Sequence, residues 1–261
     1  MWTVTPEDMQ DWEDGTAYGD AEAAYNVGLG IAYSDQRKVL TEEDGKKAVQ
    51  YLTYAFENGL SEAGLDIGGM YVSGRGVERS REKALEWYLK AHDADPMEPT
   101  AYRCLGNFYL YRDDGSSVTK STDPEDIRIS GEYFRKGAEL GNQNCLYEWG
   151  DRLYDGVGVE QDRKEAFRLY RLAYDRIQEE YDWEESIYTK DDSWADVCFR
   201  LGRAYHRGEG TEKNLMRARS FLEEAKAGSD RRIAENDYWG AIGREDLLAE
   251  LAMVEAEVGN E

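Results

Sequence analysis

A glycine set in a helical stripe of apolar residues recurs five times along this chain. These repeat glycines are Gly28, Gly68, Gly106, Gly150 and Gly202, at intervals of roughly 40 residues with a longer last one. Apolar side chains lie five residues before, one residue before and three residues after each glycine, which is the spacing of one helix face. Because glycine costs a helix about 1 kcal/mol relative to alanine, its recurrence indicates close approach of a second helix. The period predicts stacked helix pairs.

Each stripe is followed by a second segment whose small and large apolar residues have the i, i+3, i+4, i+7 spacing of an amphipathic helix. In the second unit these residues are Ala84, Trp87, Tyr88 and Ala91. Three of the connecting loops, at residues 73–77, 155–159 and 207–211, carry two glycines around one residue and end in Val or Thr. This pattern favours a tight turn with positive φ at the glycines and a following side chain packed on the core.

These columns resemble the Sel1-like repeat family, a relative of the tetratricopeptide repeats with slightly longer units. Residues 63–77 and 83–91 carry the resemblance most fully, and Gly19-Asp20 and Gly141-Asn142 match the turn between repeats. The first repeat departs from the pattern, because residues 36–39 replace its double-glycine turn. The resemblance implies an all-α fold, namely a right-handed α-solenoid of about five helix-turn-helix repeats with a C-terminal capping helix.

The chain is predicted to divide into an acidic N-terminal segment (1–18), the repeat array (19–229), and a C-terminal capping helix with an acidic tail (230–261). The predicted repeats span 19–59, 60–95, 96–140, 141–190 and 191–229. The capping helix would bury an amphipathic stripe formed by Leu247, Leu248, Leu251, Val254 and Val258. Its strongly acidic outer face argues against self-association, so a monomer is expected.

The formal net charge is −23, and most of it is concentrated in three segments. Residues 1–36 hold eight acidic and no basic residues, residues 175–196 hold nine acidic and two basic residues, and residues 245–261 hold six acidic and no basic residues. Nucleic-acid binding is disfavoured, because it needs a basic surface. The acidic segments serve either solubility, which is the simpler interpretation, or attraction of a basic protein partner.

The sequence contains no apolar run long enough to cross a membrane, and its first residues do not resemble a secretory signal. Its three cysteines are not arranged as the cysteine pairs of some secreted Sel1-like proteins, so we expect reduced thiols and a cytoplasmic location. The two histidines, His92 and His206, lie on different repeats, and neither they nor the cysteines have metal-ligand spacing. No cofactor and no catalytic residue are therefore predicted.

In related solenoids the first helix of each repeat lines the inner, concave surface. The helix face opposite the apolar stripe is mostly polar, and from it we predict seven partner-binding residues: Asn26, Asp66, Asn107, Glu148, Asp151, Arg200 and Arg203. Acids dominate the early repeats and the arginines close the far end, a lining suited to a peptide with a basic stretch. Any solvated helix face has a similar composition, so this prediction concerns the surface as a whole.

A second candidate surface is the aromatic and acidic insertion that contains Tyr181, Trp183 and Tyr188, which would either contact a partner or pack on the next repeat. The resemblance favours a non-catalytic interaction scaffold or adaptor that binds a peptide or protein domain in its groove. Two alternatives remain open. One is an acidic sequestering or immunity-type inhibitor of a basic protein, and the other, less favoured, is a hydrolase that uses carboxylates.

Overall fold

A computed structural model describes residues 4–33, 39–113, 118–180, 192–234 and 243–259 of the chain. The helices formed within these ranges are α1 (Pro6–Ala17), α2 (Ala21–Tyr33), α3 (Glu42–Glu57), α4 (Glu62–Ser73), α5 (Arg81–Ala94), α6 (Pro99–Leu110), α7 (Pro124–Glu139), α8 (Gln143–Asp155), α9 (Arg163–Glu180), α10 (Asp192–Arg207), α11 (Leu215–Ala234) and α12 (Arg244–Val258). A short antiparallel hairpin of β1 (Tyr111–Asp113) and β2 (Val118–Lys120) lies between α6 and α7. The predicted all-α class of repeated helix pairs is confirmed.

The repeat glycines lie where two helices of a pair come closest. A Cβ added at Gly28, Gly150 or Gly202 would come within 2.6 Å of a side chain of the second helix, and one added at Gly68 would overlap the ring of Tyr88. The partners at the first three are Leu52, Tyr170 and Leu222. The predicted close approach of the second helix is present, and four repeats use the missing Cβ to seat one large side chain of that helix.

The double-glycine loops also form as predicted. All six of their glycines have φ between 68° and 75°, in the left-handed region that a residue with a side chain rarely adopts. Gly74 and Gly156 end α4 and α8 directly. The valines that follow two of these turns, Val77 and Val159, pack on the apolar core.

The chain forms two compact units, Met1–Ser130 and Gly131–Glu261, called below the N-terminal and C-terminal units. The N-terminal unit buries Leu52, Ile67 and Met70 between its helices. Its first residues, predicted only as an acidic segment, contain α1. That helix begins with a capping box, because the Thr5 side chain accepts a hydrogen bond from the Asp8 amide and the Asp8 carboxylate accepts one from the Thr5 amide.

Trp87 and Tyr88 are neighbours in α5 but differ in burial. Tyr88 is almost fully buried against Gly68, whereas Trp87 is half-buried and meets Phe56 edge-on. The sequence pattern placed both in the core, so the structure narrows that prediction to Tyr88.

The C-terminal unit carries α12 on its last repeat. Leu247, Leu251 and Val254 join the buried core, as expected of a capping helix, whereas Leu248 is 38% exposed and lies outside the apolar stripe. A charged cluster also joins α12 to α10. Both ring nitrogens of the buried His206 face carboxylates, Nδ1 at 2.6 Å from Glu250 and Nε2 at 3.0 Å from Glu257.

Candidate functional site

A cavity of about 560 Å³ lies in the N-terminal unit and is partly open to solvent. Its walls come from the first helices of the first three repeats, α2, α4 and α6, together with one side chain of α5. The lining residues are Tyr25, Tyr33, Glu62, Leu65, Asp66, Gly69, Tyr88, Glu98, Thr100, Arg103 and Cys104. The cavity therefore lies on the helix face from which the partner-binding residues were predicted.

Asp66 is the central acid of this cavity. Its carboxylate is half-buried and accepts a hydrogen bond of 2.8 Å from the hydroxyl of Tyr25. Burial raises the pKa of Asp66 to about 6, the hydrogen bond from Tyr25 partly opposes this, and the nearby charge of Glu62 adds to the rise. Within the described ranges Asp66 forms no salt bridge.

Three tyrosines form the aromatic part of the cavity wall. Burial raises the pKa of Tyr33 to about 12 and also raises the pKa values of Tyr25 and Tyr88, so all three phenols are neutral at physiological pH. The hydroxyl of Tyr88 makes no hydrogen bond within the described part of the chain, although the residue is only 7% exposed. Burial also raises the pKa of the Cys104 thiol, which disfavours the thiolate that nucleophilic chemistry needs.

The C-terminal unit has a carboxylate on the corresponding helix face, but there it is paired. The guanidinium of Arg200 donates to Asp151 from Nε at 2.8 Å and from Nη2 at 2.5 Å, and the hydroxyl of Tyr170 donates to Asp151 at 2.8 Å. Arg200 also lies over the ring of Tyr147, 4.5 Å from its centre. Burial would raise the pKa of Asp151, but the charge and hydrogen bonds of Arg200 hold it below its ordinary value.

The structure thus separates the seven predicted partner-binding residues into different environments. Asp66 lines the cavity, whereas Asp151 and Arg200 bind each other and Arg203 stacks on Tyr154 at 4.3 Å. The remaining three, Asn26, Asn107 and Glu148, are half-buried on α2, α6 and α8. The aromatic candidates, Tyr181, Trp183 and Tyr188, lie outside the described residues.

The pattern analysis did not select the tyrosines of the cavity. Tyr25 and Tyr33 flank the apolar stripe of α2, and Tyr88 belongs to the apolar column of α5, so each appears in sequence as an ordinary packing residue. A column-by-column comparison of repeats would have identified Tyr88, because its counterpart Tyr170 meets Asp151 while Tyr88 has Gly69 at that position.

The family model of the Sel1 repeat matches residues 21–60, 62–95, 105–142, 143–176 and 195–230. The chain belongs to the Sel1 repeat family. Sel1 repeat proteins generally mediate protein–protein interactions and are typically non-catalytic scaffolds. In the described ranges of this Sel1 repeat chain, no helix is both long and apolar enough to cross a membrane, and no cluster of His, Cys, Asp and Glu is arranged to hold a metal ion.

Three relatives place this Sel1 repeat chain among known proteins. It is 29% identical over 152 residues to an ERAD-associated E3 ubiquitin-protein ligase component of Arabidopsis thaliana, covering 56% of this chain and 22% of that protein. A Sel1 repeat protein of Oxalobacter formigenes is 26% identical with a TM-score of 0.61, covering 84% of this chain and 55% of the other. An immunity protein of Pseudomonas aeruginosa is 19% identical with a TM-score of 0.50, covering 90% of this chain and 82% of the other, and this likeness concerns the fold alone. The chain thus spans only part of the first two relatives.

Proposed function

We propose that this Sel1 repeat chain is a non-catalytic interaction module that binds a peptide or protein domain through the polar face of its first helices. The observation that carries the proposal is the cavity of the N-terminal unit, where Asp66 is half-buried without a cationic partner in the described ranges. A buried carboxylate without a counter-charge is costly for folding alone, so its presence favours a role in binding. The family's general role in protein–protein interaction supports the same conclusion.

An acidic inhibitor that sequesters a basic protein is the second candidate, and the net charge of −23 favours it. Such an inhibitor would bind through its summed field rather than through one cavity. Salt therefore distinguishes the two candidates, because charges exposed to solvent are largely screened at moderate ionic strength. A carboxylate-based hydrolase is less favoured, since members of the family are typically non-catalytic.

The test is capture of partners from host lysate, followed by mass spectrometry and then by affinity measurement with the purified partner. One variant carries Asp66→Lys and Glu148→Lys on the predicted binding face. Its control carries Glu82→Lys and Glu160→Lys, two exposed acids, and so makes the same change in net charge.

If the binding face includes Asp66, the first variant should lose its affinity for the purified partner and the control should bind it normally. Equal weakening of both variants, together with loss of most affinity between about 0.05 and 0.3 M salt, would favour the acidic inhibitor. Unchanged binding by both variants would reject the binding face. Circular dichroism of each variant checks that the helices are retained.

A further inference from the structure

The two units have different side chains at equivalent positions of the repeat, and this difference indicates which chemical group could fill the cavity. In the C-terminal unit Arg200, two residues before its repeat glycine, reaches back 49 positions to Asp151 on the preceding first helix. In the N-terminal unit the residue two before the repeat glycine of α6 is Cys104, which lines the cavity instead. The position that supplies a guanidinium in one unit thus supplies a neutral thiol in the other.

The acids occupy one helix face in both units. Asp151 follows its repeat glycine directly and Asp66 comes two residues before its own, so the two positions differ by one helical turn along the same face. At the position of Asp151 the N-terminal unit has Gly69, whose missing side chain adds to the cavity. The N-terminal unit therefore carries its acid at the position of Glu148 in the C-terminal unit, and its described residues leave open the space that Asp151 and Arg200 fill there.

Tyr88 gives a second and independent indication of a missing group. Its counterpart Tyr170 seats against Gly150 in the same way and donates its hydroxyl hydrogen bond to Asp151. The Tyr88 hydroxyl has no such partner within the described part of the chain, although the residue is more than nine-tenths buried and lines the cavity. Because the residue lines the cavity, its hydroxyl can form with a bound ligand the hydrogen bond that Tyr170 forms with Asp151.

We propose that the cavity binds the guanidinium group of an arginine side chain from the partner, in the role that Arg200 plays within the C-terminal unit. This inference rests on the proposed function and names the chemistry that the binding face recognises. Asp66 accepts the hydrogen bonds of the guanidinium, and the cavity tyrosines offer rings against which its plane stacks, as Tyr147 does for Arg200. Among the described residues, three carboxylates and one cation, Arg103, line the cavity, and this balance attracts a cationic ligand.

The test is an NMR titration of the full chain with acetyl-Gly-Arg-Gly-amide, the same peptide with lysine, and the same peptide with citrulline, which keeps the shape but lacks the charge. We expect saturable shifts at cavity residues with the arginine peptide and at least about tenfold weaker binding of the citrulline peptide. Asp66→Asn should weaken arginine binding about tenfold and Tyr88→Phe about threefold. The control Glu82→Gln removes one exposed acid of the same unit and should leave binding unchanged.

A second readout is independent of affinity. Because burial raises the pKa of Asp66 to about 6, binding of a cation at pH 6 should release up to about half a proton, which calorimetry in two buffers of different ionisation enthalpy measures. This release should be absent in Asp66→Asn. Cys104→Arg supplies a guanidinium from within and should abolish peptide binding while the helical circular dichroism spectrum is kept.

The proposal fails if the arginine peptide shows no saturable binding up to about 20 mM, if citrulline or lysine binds equally well, or if Glu82→Gln weakens binding as much as Asp66→Asn. In any of these cases, if partner binding still depends on Asp66, only the arginine proposal is rejected. The proposed function as an interaction module is then retained. If the arginine peptide does not bind and partner binding does not depend on Asp66, the binding face itself is rejected.

Discussion

The N-terminal and C-terminal units each have a carboxylate on the same helix face, but one faces a cavity and the other is paired with an arginine. Asp151 is half-buried and bound by Arg200 and by the hydroxyl of Tyr170, so its charge is paired within its own unit. Among the described residues, Asp66 accepts a hydrogen bond only from the hydroxyl of Tyr25, and it faces a cavity. The pKa values follow this difference, because that of Asp151 lies below and that of Asp66 above the ordinary value.

The comparison teaches that two positions together decide the role of the acid. In the C-terminal unit Asp151 follows its repeat glycine and is bound by Arg200 of the following repeat. In the N-terminal unit these two positions hold Gly69 and Cys104, and the acid one helical turn away, Asp66, remains open to a ligand. A repeat array can thus keep one fold and vary its sites by a few exchanges, since each first helix meets only its neighbours.

The largest effect is expected from breaking the ion pair of the C-terminal unit. Arg200→Met keeps much of the side-chain volume but leaves the half-buried Asp151 without the guanidinium that binds it, which should destabilise this unit by about 2–4 kcal/mol. Hydrogen exchange of the α8 and α10 amides measures the loss within that unit. The matched control is Cys104→Met in α6, which should change stability by less than about 1.5 kcal/mol. A loss below about 1 kcal/mol in Arg200→Met would contradict the assigned role of the pair.

Removing the charge of Asp66 should stabilise its unit, whereas breaking the ion pair of Asp151 destabilises the other. Its folded pKa of about 6 exceeds the ordinary 3.8, so the folded chain holds this proton more tightly than the unfolded chain. The ionised group therefore costs stability above pH 6, and the cost disappears as the pH falls towards 4. Asp66→Asn should stabilise the N-terminal unit by about 2 kcal/mol at pH 8 and by little at pH 4. Urea unfolding at both pH values tests this, and an equal effect at the two pH values would refute it.

Placing an arginine at position 104 should give the acid of the N-terminal unit an internal counter-charge, as Arg200 does for Asp151. In Cys104→Arg the new guanidinium comes from the position of Arg200, and the pKa of Asp66 should fall from about 6 to below about 5, with a gain of about 1–2 kcal/mol at pH 8. NMR titration of the Asp66 carboxyl group measures the pKa. Cys104→Leu is the control, because it fills space without charge and should keep the pKa raised. A pKa that is unchanged by the arginine would mean that the two positions are not equivalent.

Much of the fold could be predicted because its signals are local. The double glycines indicate turns with positive φ, and the repeat glycines indicate close approach of the second helix, as the structure shows at Gly68 and Gly150. Which side chain seats on each glycine, Tyr88 or Tyr170, came only from the structure. The sequence analysis predicts only an acidic segment at residues 1–18, whereas the structure has α1 there, and the capping box of Thr5 and Asp8 is the local signal for its start. Turns and helix ends could therefore be predicted wherever a short residue pattern determines the local backbone conformation.

The candidate site could be predicted only in part. The face was identified by its polar residues, but pairing across repeats depends on the offset between neighbouring first helices, which spacing within one helix does not encode. Asp151 and Arg200 were accordingly predicted to contact a partner, whereas they contact each other. The cavity depends on Gly69 and Cys104, which are small where the C-terminal unit has Asp151 and Arg200. The aligned repeats show this difference in sequence, but only the structure shows that Asp151 and Arg200 bind each other.

The smallest expected effect sharpens the comparison at Gly69, where the C-terminal unit has Asp151. A Cβ added at Gly69 has the hydroxyl of Tyr33 as its nearest neighbour, at an ordinary contact distance of 3.7 Å, so Gly69→Ala should gain about 0.5–1 kcal/mol from helix propensity. Gly68→Ala is the adjacent control and should lose stability, because its Cβ overlaps the Tyr88 ring. Thermal denaturation monitored by circular dichroism measures both changes. A loss in Gly69→Ala as large as that in Gly68→Ala would mean that this wall of the cavity is packed, and the contrast between the two units would then rest on Cys104 alone.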